Sequence, residues 1–520
     1  MSMKVVVIGA GLAGCSAALN LAEEGAQVLL VSNAPSERSQ SVMAEGGINA
    51  ALDSAHAGDD AGLHAADTLK SAAGLAVQED VQHMAQAAPG IVLRLEAAGA
   101  GFNLTGSELA QRPFGGQSEA RTVFSKSQTG KQIMAALIQQ LRPYEVSGAV
   151  TRLPHHGFES LLLAQGRCCG ARVRDLWSGT PADLHADAVI MACGGMGGMF
   201  PVITGSKLNT GIVQAELLRL GVEFSNLEFI QYHPTAVVRE GKALLVTEAA
   251  RAEGGRLFAL RGGKPWYFME ERHPQGNLAP RDVTARNNWL VGQETQVYLD
   301  LRGLPQRVYE NNLRELVDKL QRFASIDARR EPVPIQPAIH FFMGGLHVDS
   351  AHRCSLPGLY AAGECDMKYH GANRLGGNSL LGGIYGGKVA AHAVLHDAPS
   401  AAGLAGAVVG EPASPLPAAQ MAQLRAALQA SMGIVRSREG LEGGLAAVEE
   451  LGCHPMAQLA RAFMLSALAR EESRGAHYRS DFTQTSTAFD ALSTARMEDG
   501  QLKVGFAAVS SDEGREQPCA

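Results

Sequence analysis

Residues 4–31 read KVVVIGAGLAGCSAALNLAEEGAQVLLV. Lys4–Ile8 is a short, continuous apolar run, the pattern of a buried strand. Gly9-Ala10-Gly11-Leu12-Ala13-Gly14 follows, then a helical stretch to about Glu24, then a second strand over Gln27–Val31. Strand, GxGxxG, helix and strand at this spacing make a βαβ unit that holds a dinucleotide. The first glycine permits the tight turn, the second lets a pyrophosphate approach the backbone, and the third lets helix pack on strand. One usual piece is missing: the second strand ends in Ser32-Asn33 rather than in an acid for a ribose hydroxyl. A serine hydroxyl or an asparagine amide can take that hydrogen bond, so this motif leaves FAD and NAD both open.

A later segment favours FAD. Ala188–Gly195 (AVIMACGG) is a strand ending in paired glycines, and it resembles the second flavin contact of many FAD enzymes. Farther on, His370–Gly387 (HGANRLGGNSLLGGIYGG) sets Arg374 in a glycine-rich loop that runs into a helix start at Asn378-Ser379-Leu380. Backbone N–H groups at such a junction suit a phosphate or an electron-rich ring edge. An arginine fork beside them suits a carboxylate. Cofactor and anionic substrate would therefore meet here, far in sequence from the first motif.

The chain has 520 residues, room for about two to four domains with large cores. A net charge of −7 without any lysine/arginine run argues against a nucleic-acid partner. The eight cysteines are scattered, with no C-x-x-C pair, so they read as core thiols of a reducing compartment rather than as zinc or iron–sulfur ligands. No metal set is expected. The apolar N-terminus lacks a signal-peptide cleavage pattern, and no charge-free apolar run reaches the length of a membrane span. The expected location is cytoplasmic, at the inner face of the cell membrane only if partner subunits hold it there.

Between about 230 and 345 several polar residues sit in short frames. Phe229–Thr235 (FIQYHPT) places His233 before a proline turn. Leu245–Gly255 (LVTEAARAEGG) carries Thr247, Glu248 and Arg251, and the last two, three apart, would face each other on a helical turn. Arg281 follows Pro280, and His340 ends a short apolar run in Ile339–Gly345. Three arginines and two histidines framed by glycine and proline suggest a pocket for a dianion.

With these residues the chain resembles the flavoprotein subunit of succinate dehydrogenase and fumarate reductase, from Val5 to about Phe482. Further frames carry the resemblance: Ala44–Asn49 (AEGGIN), Arg112–Ser118 (RPFGGQS), Lys264–Phe268 (KPWYF), Gly358–Cys365 (GLYAAGEC) and Ser473–Tyr478 (SRGAHY). The resemblance implies an α/β fold: a Rossmann-type FAD domain in two segments (1–228 and 344–397), an inserted α+β capping domain (229–343), a helical domain (415–475) and a C-terminal tail (476–520). It implies that Gly9, Gly11, Gly14, Ser32, Ser39, Gly46, Gly47, Glu364, Ser379 and Leu380 hold FAD. His233, Thr247, His340 and Arg374 would hold two carboxylates, with Phe114 beside the substrate. Arg281 would give a proton to carbon, with Glu248 and Arg251 as its relay, while hydride comes from flavin N5. An iron–sulfur subunit of a larger complex, and a membrane anchor subunit, would be the partners, with fumarate or succinate as substrate.

Two departures stand out. The family usually attaches FAD through a histidine in an R-S-H-[ST] frame, but this chain has Arg38-Ser39-Gln40-Ser41. Glutamine cannot form that bond, so the expectation is non-covalent FAD and a bias toward fumarate reduction. After Phe482 the sequence departs from the family's usual tail, and its last ten residues are polar. The nearest alternative is L-aspartate oxidase, which carries Glu where this chain has Phe114; a stand-alone reductase of another enoate, or an FAD-binding subunit without turnover, is more distant.

Overall fold

The computed structural model describes residues 2–54, 58–239, 241–397 and 404–509. Lys4–Ile8 lies at the centre of a five-stranded parallel sheet, ordered Leu359–Ala361, Ala188–Met191, Lys4–Ile8, Gln27–Ser32 and Val150–Pro154. Such a strand is covered on both faces, which is why it reads as unbroken Val-Val-Val rather than as an alternation. The helices Leu12–Glu23, Gln78–Ala97, Thr129–Val146 and Asn378–Asp397 close one face around Val5, Val7 and Leu30. On the other face Val6, Ile8 and Val189 meet Phe158, Leu161 and Val173 of an antiparallel meander, His156–Ala164, Arg167–Asp175 and Pro181–His185.

A second sheet is built wholly from residues between the fourth and fifth parallel strands to enter it, and is therefore an insertion. Its six antiparallel strands run Lys242–Leu245, Ile230–Arg239, Val333–Phe342, Val297–Asp300, Arg256–Arg261 and Lys264–Trp266. It has its own core, in which Val246, Leu257, Leu299, Leu316 and Val333 meet. Two π-helical turns, Val308–Asn312 and Leu320–Ala324, flank a short helix Arg314–Lys319 on this cap. His233 is not followed by the turn at Pro234 that its frame suggested. It lies within the strand Ile230–Arg239, where the register slips between His233 and Ala236. Pro234 has no N–H to give to a ladder, and the irregularity absorbs it.

Three helices, Ala418–Ser431, Arg438–Glu449 and Pro455–Ala469, pack against the meander side. Beyond Phe482 the chain does not trail away. Ala491–Glu498 and Gln501–Ala508 form a hairpin that joins Phe224–Ser225 and Gly345–Leu346 in a four-stranded sheet. Asp499 and Gly500, both at positive φ, make the two-residue turn whose twist suits a hairpin. The polar last ten residues lie outside the described residues. Among the described residues no helix is long and apolar enough to cross a membrane.

Candidate active site

A cavity of about 440 Å³ opens where the parallel strands end and the cap overhangs them. Ligands bind at this edge of parallel sheets because loops and helix N-termini converge there. Gly9, Gly11, Ser32, Ser39, Gln40, Gly46, Gly47, Glu364, Ser379 and Leu380 all line it. Gly14 does not. It sits behind the wall, where an added Cβ would lie 1.8 Å from the Gly9 carbonyl oxygen, so its part is to seat the helix on the strand.

These walls fit a dinucleotide. The helix Leu12–Glu23 begins at the cavity, and its N-cap, Gly11, offers no side-chain acceptor to the first-turn amides. Such a terminus attracts phosphate oxygens. Ser39 Oγ is buried at the same wall without a hydrogen-bond partner among the described residues. Ser32 Oγ donates to Ala34 O at 2.7 Å and faces the same space.

The far end of the cavity carries the residues singled out for substrate. His233, Thr247, Glu248, Arg281, His340, Arg374 and Phe114 line it together, although they come from segments up to 260 positions apart in sequence. The Glu248 carboxylate is the hub. Its Oε2 accepts from Arg281 Nε at 2.8 Å and Nη2 at 2.6 Å, and its Oε1 accepts from Gly115 N at 2.9 Å. Arg251 lies behind it, Nη2 3.4 Å from Glu248 Oε1, while Nη1 donates to Asn277 O at 2.6 Å. Pro280 precedes the helix Arg281–Gly292 and sets Arg281 in its first turn, facing Glu248. The His233 and His340 rings are 5.1 Å apart, and His340 Nδ1 lies 2.8 Å from Thr204 Oγ1. Phe114 packs its ring over Gly46, 2% exposed.

Burial and charge fix the protonation states. Burial pushes Glu248 up, but the Arg281 and Arg251 guanidiniums outweigh it and hold the carboxylate at about 2. Burial, then the nearby arginines, drives His233 well below its usual range. His340 is driven the same way by burial, His233 and Arg281. Both imidazoles are therefore neutral hydrogen-bonding groups. Arg374 is 2% exposed, and burial followed by repulsion from Arg281 depresses it well below the ordinary arginine value. Its Nε has no partner among the described residues. With Glu364 uncharged below neutrality, three guanidiniums beside one ionised carboxylate leave an excess of two positive charges, which a dicarboxylate would cancel.

Some residues of the site were not among those expected from the sequence. Gln231, fully buried, accepts from Arg281 Nη1 at 3.1 Å and donates to Arg374 O at 2.8 Å and Asn373 Oδ1 at 2.9 Å, tying both arginines to one amide. Its place in FIQYHPT, two residues before His233, was the available signal. Glu45 and Lys319 also line the cavity and form an ion pair across the seam between the cap and the FAD domain.

This fold and its cavity define an FAD-dependent oxidoreductase. Residues 4–380 match the family described as FAD binding domain, and residues 448–517 the family described as fumarate reductase flavoprotein C-term, which spans most of the stretch expected to diverge. The succinate dehydrogenase flavoprotein subunit of Bacillus subtilis is 42% identical over 397 residues, 74% of this chain and 68% of that protein. An L-aspartate oxidase of Caulobacter vibrioides is 36% identical over 498 residues, 92% and 93% of the two chains. The E. coli quinol fumarate reductase FrdA, in a point-mutant form, superposes with a TM-score of 0.87 at 26% identity, covering 99% of this chain and 98% of its own. The chain belongs to the succinate dehydrogenase/fumarate reductase flavoprotein family, with L-aspartate oxidase among its relatives.

Proposed function

We propose that this chain is a flavoprotein catalytic subunit that interconverts fumarate and succinate and works chiefly as a fumarate reductase. One observation carries the reading: a buried anion pocket of His233, Thr247, His340 and Arg374 shares one cavity with the Arg281–Glu248 pair, and Arg251 backs Glu248 from outside that cavity. Bound along the glycine wall, FAD would exchange a hydride with substrate carbon. The residues supply the rest. Arg374 and the two neutral imidazoles grip the carboxylates and stabilise charge that grows on that side in the transition state. Arg281 gives a proton to the other alkene carbon. Glu248, between two guanidiniums, passes a replacement proton to Arg281 from the Arg251 side. Arginine is a weak acid, but the acceptor is a strongly basic carbanion-like centre and the carboxylate at its Nε and Nη2 restores the proton at once. Phe114, apolar, suits an uncharged alkene rather than a substrate ammonium.

FAD is held without a covalent bond, because Gln40 lines the cavity in place of a histidine. Electrons reach it from an iron–sulfur partner subunit, possessing the clusters this chain's cysteines do not group to hold; a membrane anchor subunit would place the complex at the inner face of the cell membrane. The test is purified chain with reduced viologen and fumarate, and in parallel with oxygen and L-aspartate. Fumarate-dependent viologen oxidation without aspartate-dependent peroxide supports the reading. Peroxide from aspartate, without fumarate reduction, replaces it with L-aspartate oxidase.

A further inference from the structure

The loop that presents Arg374 is held from two sides. Ala372 N donates to Ala72 O at 3.0 Å, at the end of the helix Ala61–Ala72. Ala372 O accepts from Ala476 N, also at 3.0 Å, and Ala476 belongs to the C-terminal stretch Ser473–Tyr478. Both backbone groups of one residue, two positions before Arg374, are thus committed to segments about 300 and 100 residues away. Gly475 lies against the same residue. It has a φ of +52°, and a Cβ there would stand 2.5 Å from Ala372 O and 2.8 Å from Ala372 Cβ. Only a residue without a side chain lets the two backbones meet.

The Ser473–Tyr478 stretch is itself anchored deeply. Arg474 N donates to His477 O at 2.8 Å and His477 N to Arg474 O at 3.0 Å, closing a tight turn. Arg474 reaches Glu472 Oε1 (2.7 Å), Asp490 Oδ1 (2.7 Å) and Ala73 O (2.7 Å), so the turn is pinned beside the helix end that also binds Ala372. Glu472 is fully buried and is shared with Arg470, which pairs with Glu228 at 2.6 Å. His477 Nδ1 lies 2.9 Å from Arg436 Nη1, and its ring packs edge-on to Phe229. A turn braced by so many buried charges is a fixed reference, whereas the Arg374 loop it touches contains glycines at 371, 376 and 377.

We propose that the Ser473–Tyr478 turn is a positioning element that sets the Arg374 guanidinium through the Gly475–Ala372 contact and the Ala476–Ala372 hydrogen bond. The inference deepens the proposed function and rests on it for the role of Arg374; the backbone coupling itself does not. A misplacement of about 1 Å at a binding group can cost about 100-fold in rate, so the coupling is measurable.

The experiment uses the full FAD-loaded chain and the variant Gly475→Ala, with Gly452→Ala as reference. Gly452 has a comparable φ of +59° with nothing within 4 Å of its Cβ position, so it carries the left-handed strain without the shove. Expected for Gly475→Ala are faster amide exchange over residues 370–376, a fumarate kcat/KM lowered by about 10- to 100-fold, mostly through KM, and an unchanged flavin content and spectrum. Gly452→Ala should match wild type in all of these. Equal exchange and equal kcat/KM in the two variants would overturn the proposal. Should Gly475→Ala fail to fold, Arg474→Lys keeps the charge beside Glu472 but loses the reach to Ala73 and should shift exchange and KM the same way by less; wild-type values there overturn it too. Arg374→Ala is run alongside. If that variant reduces fumarate like wild type while Gly475→Ala still loosens 370–376, the function assigned to Arg374 falls and the positioning element stands.

Discussion

The Glu248 carboxylate touches Arg281 through two N–H groups and Gly115 through a third, and stays ionised although it is buried. Replacing it by glutamine keeps the size and most of the contacts but removes the group proposed to carry the proton. Glu248→Gln should therefore lower kcat for fumarate by about 100-fold or more with little change in KM, a general acid–base loss. Steady-state kinetics with reduced viologen reads both; a KM that rises as far as kcat falls would make Glu248 a binding group instead. Glu364 behaves differently. Burial raises it to about 7, against the Phe342 N–H and Arg374. Below neutrality it is uncharged; above, it adds a negative charge to the pocket proposed to hold a dianion. The KM for fumarate should then rise through pH 7 by roughly fivefold, for a repulsion of about 1 kcal/mol. Glu364→Gln should flatten that rise. The residues proposed for these roles stood out as residue types in short frames, but Gln231 did not: a glutamine in a strand looks the same whether it binds water or bridges two arginine segments.

At the scale of elements, what the sequence revealed was local. GxGxxG between two apolar runs spans only 28 residues and needs no distant partner, so strand, turn and helix could all be placed. Gly14→Ala tests the contact that closes this unit. A Cβ 1.8 Å from Gly9 O must push the helix Leu12–Glu23 off the sheet, and the variant should bind FAD at least tenfold more weakly and melt lower. Flavin retention after gel filtration and a melting curve measure it. The short turn Gln40–Met43 carries the other element-level expectation: without a histidine, flavin should leave with the supernatant when the protein is denatured in acid, and yellow precipitate would refute it. The C-terminal hairpin was also marked locally. Asp499-Gly500 is a hairpin turn signal between alternating segments, but the sheet those segments join is completed by Phe224–Ser225 and Gly345–Leu346, which lie far off in sequence. The π-helical turns at Val308–Asn312 and Leu320–Ala324 carry no comparable sequence mark, since their form depends on the cap around them.

For the whole molecule, the decisive question is how the cap meets the FAD domain, and periodicity cannot answer it. The seam is made by residues far apart: Lys319 with Glu45, Gln128 Nε2 with Glu315 Oε1 at 2.8 Å, and Ser127 Oγ with Asn312 O at 3.1 Å. Glu45 is 5% exposed, its Oε2 has no partner among the described residues, and burial raises its pKa even though Lys319 opposes the rise. Lys319→Met would remove that opposition and raise Glu45 further. The sign follows from linkage. An acid whose folded pKa exceeds its unfolded one holds its proton more tightly when folded, so stability is highest at low pH and falls as pH climbs between the two values. Lys319→Met should thus be close to wild type at pH 5 and less stable by about 3 kcal/mol at pH 8, the cost of leaving a buried charge unpaired. Thermal melts of both proteins across that range measure it. Glu45→Gln in the Lys319→Met background should recover most of the loss at pH 8, because a neutral amide has no charge to bury; a loss that is equal at both pH values, or that Glu45→Gln leaves in place, would mean that the seam is held by packing and not by this pair.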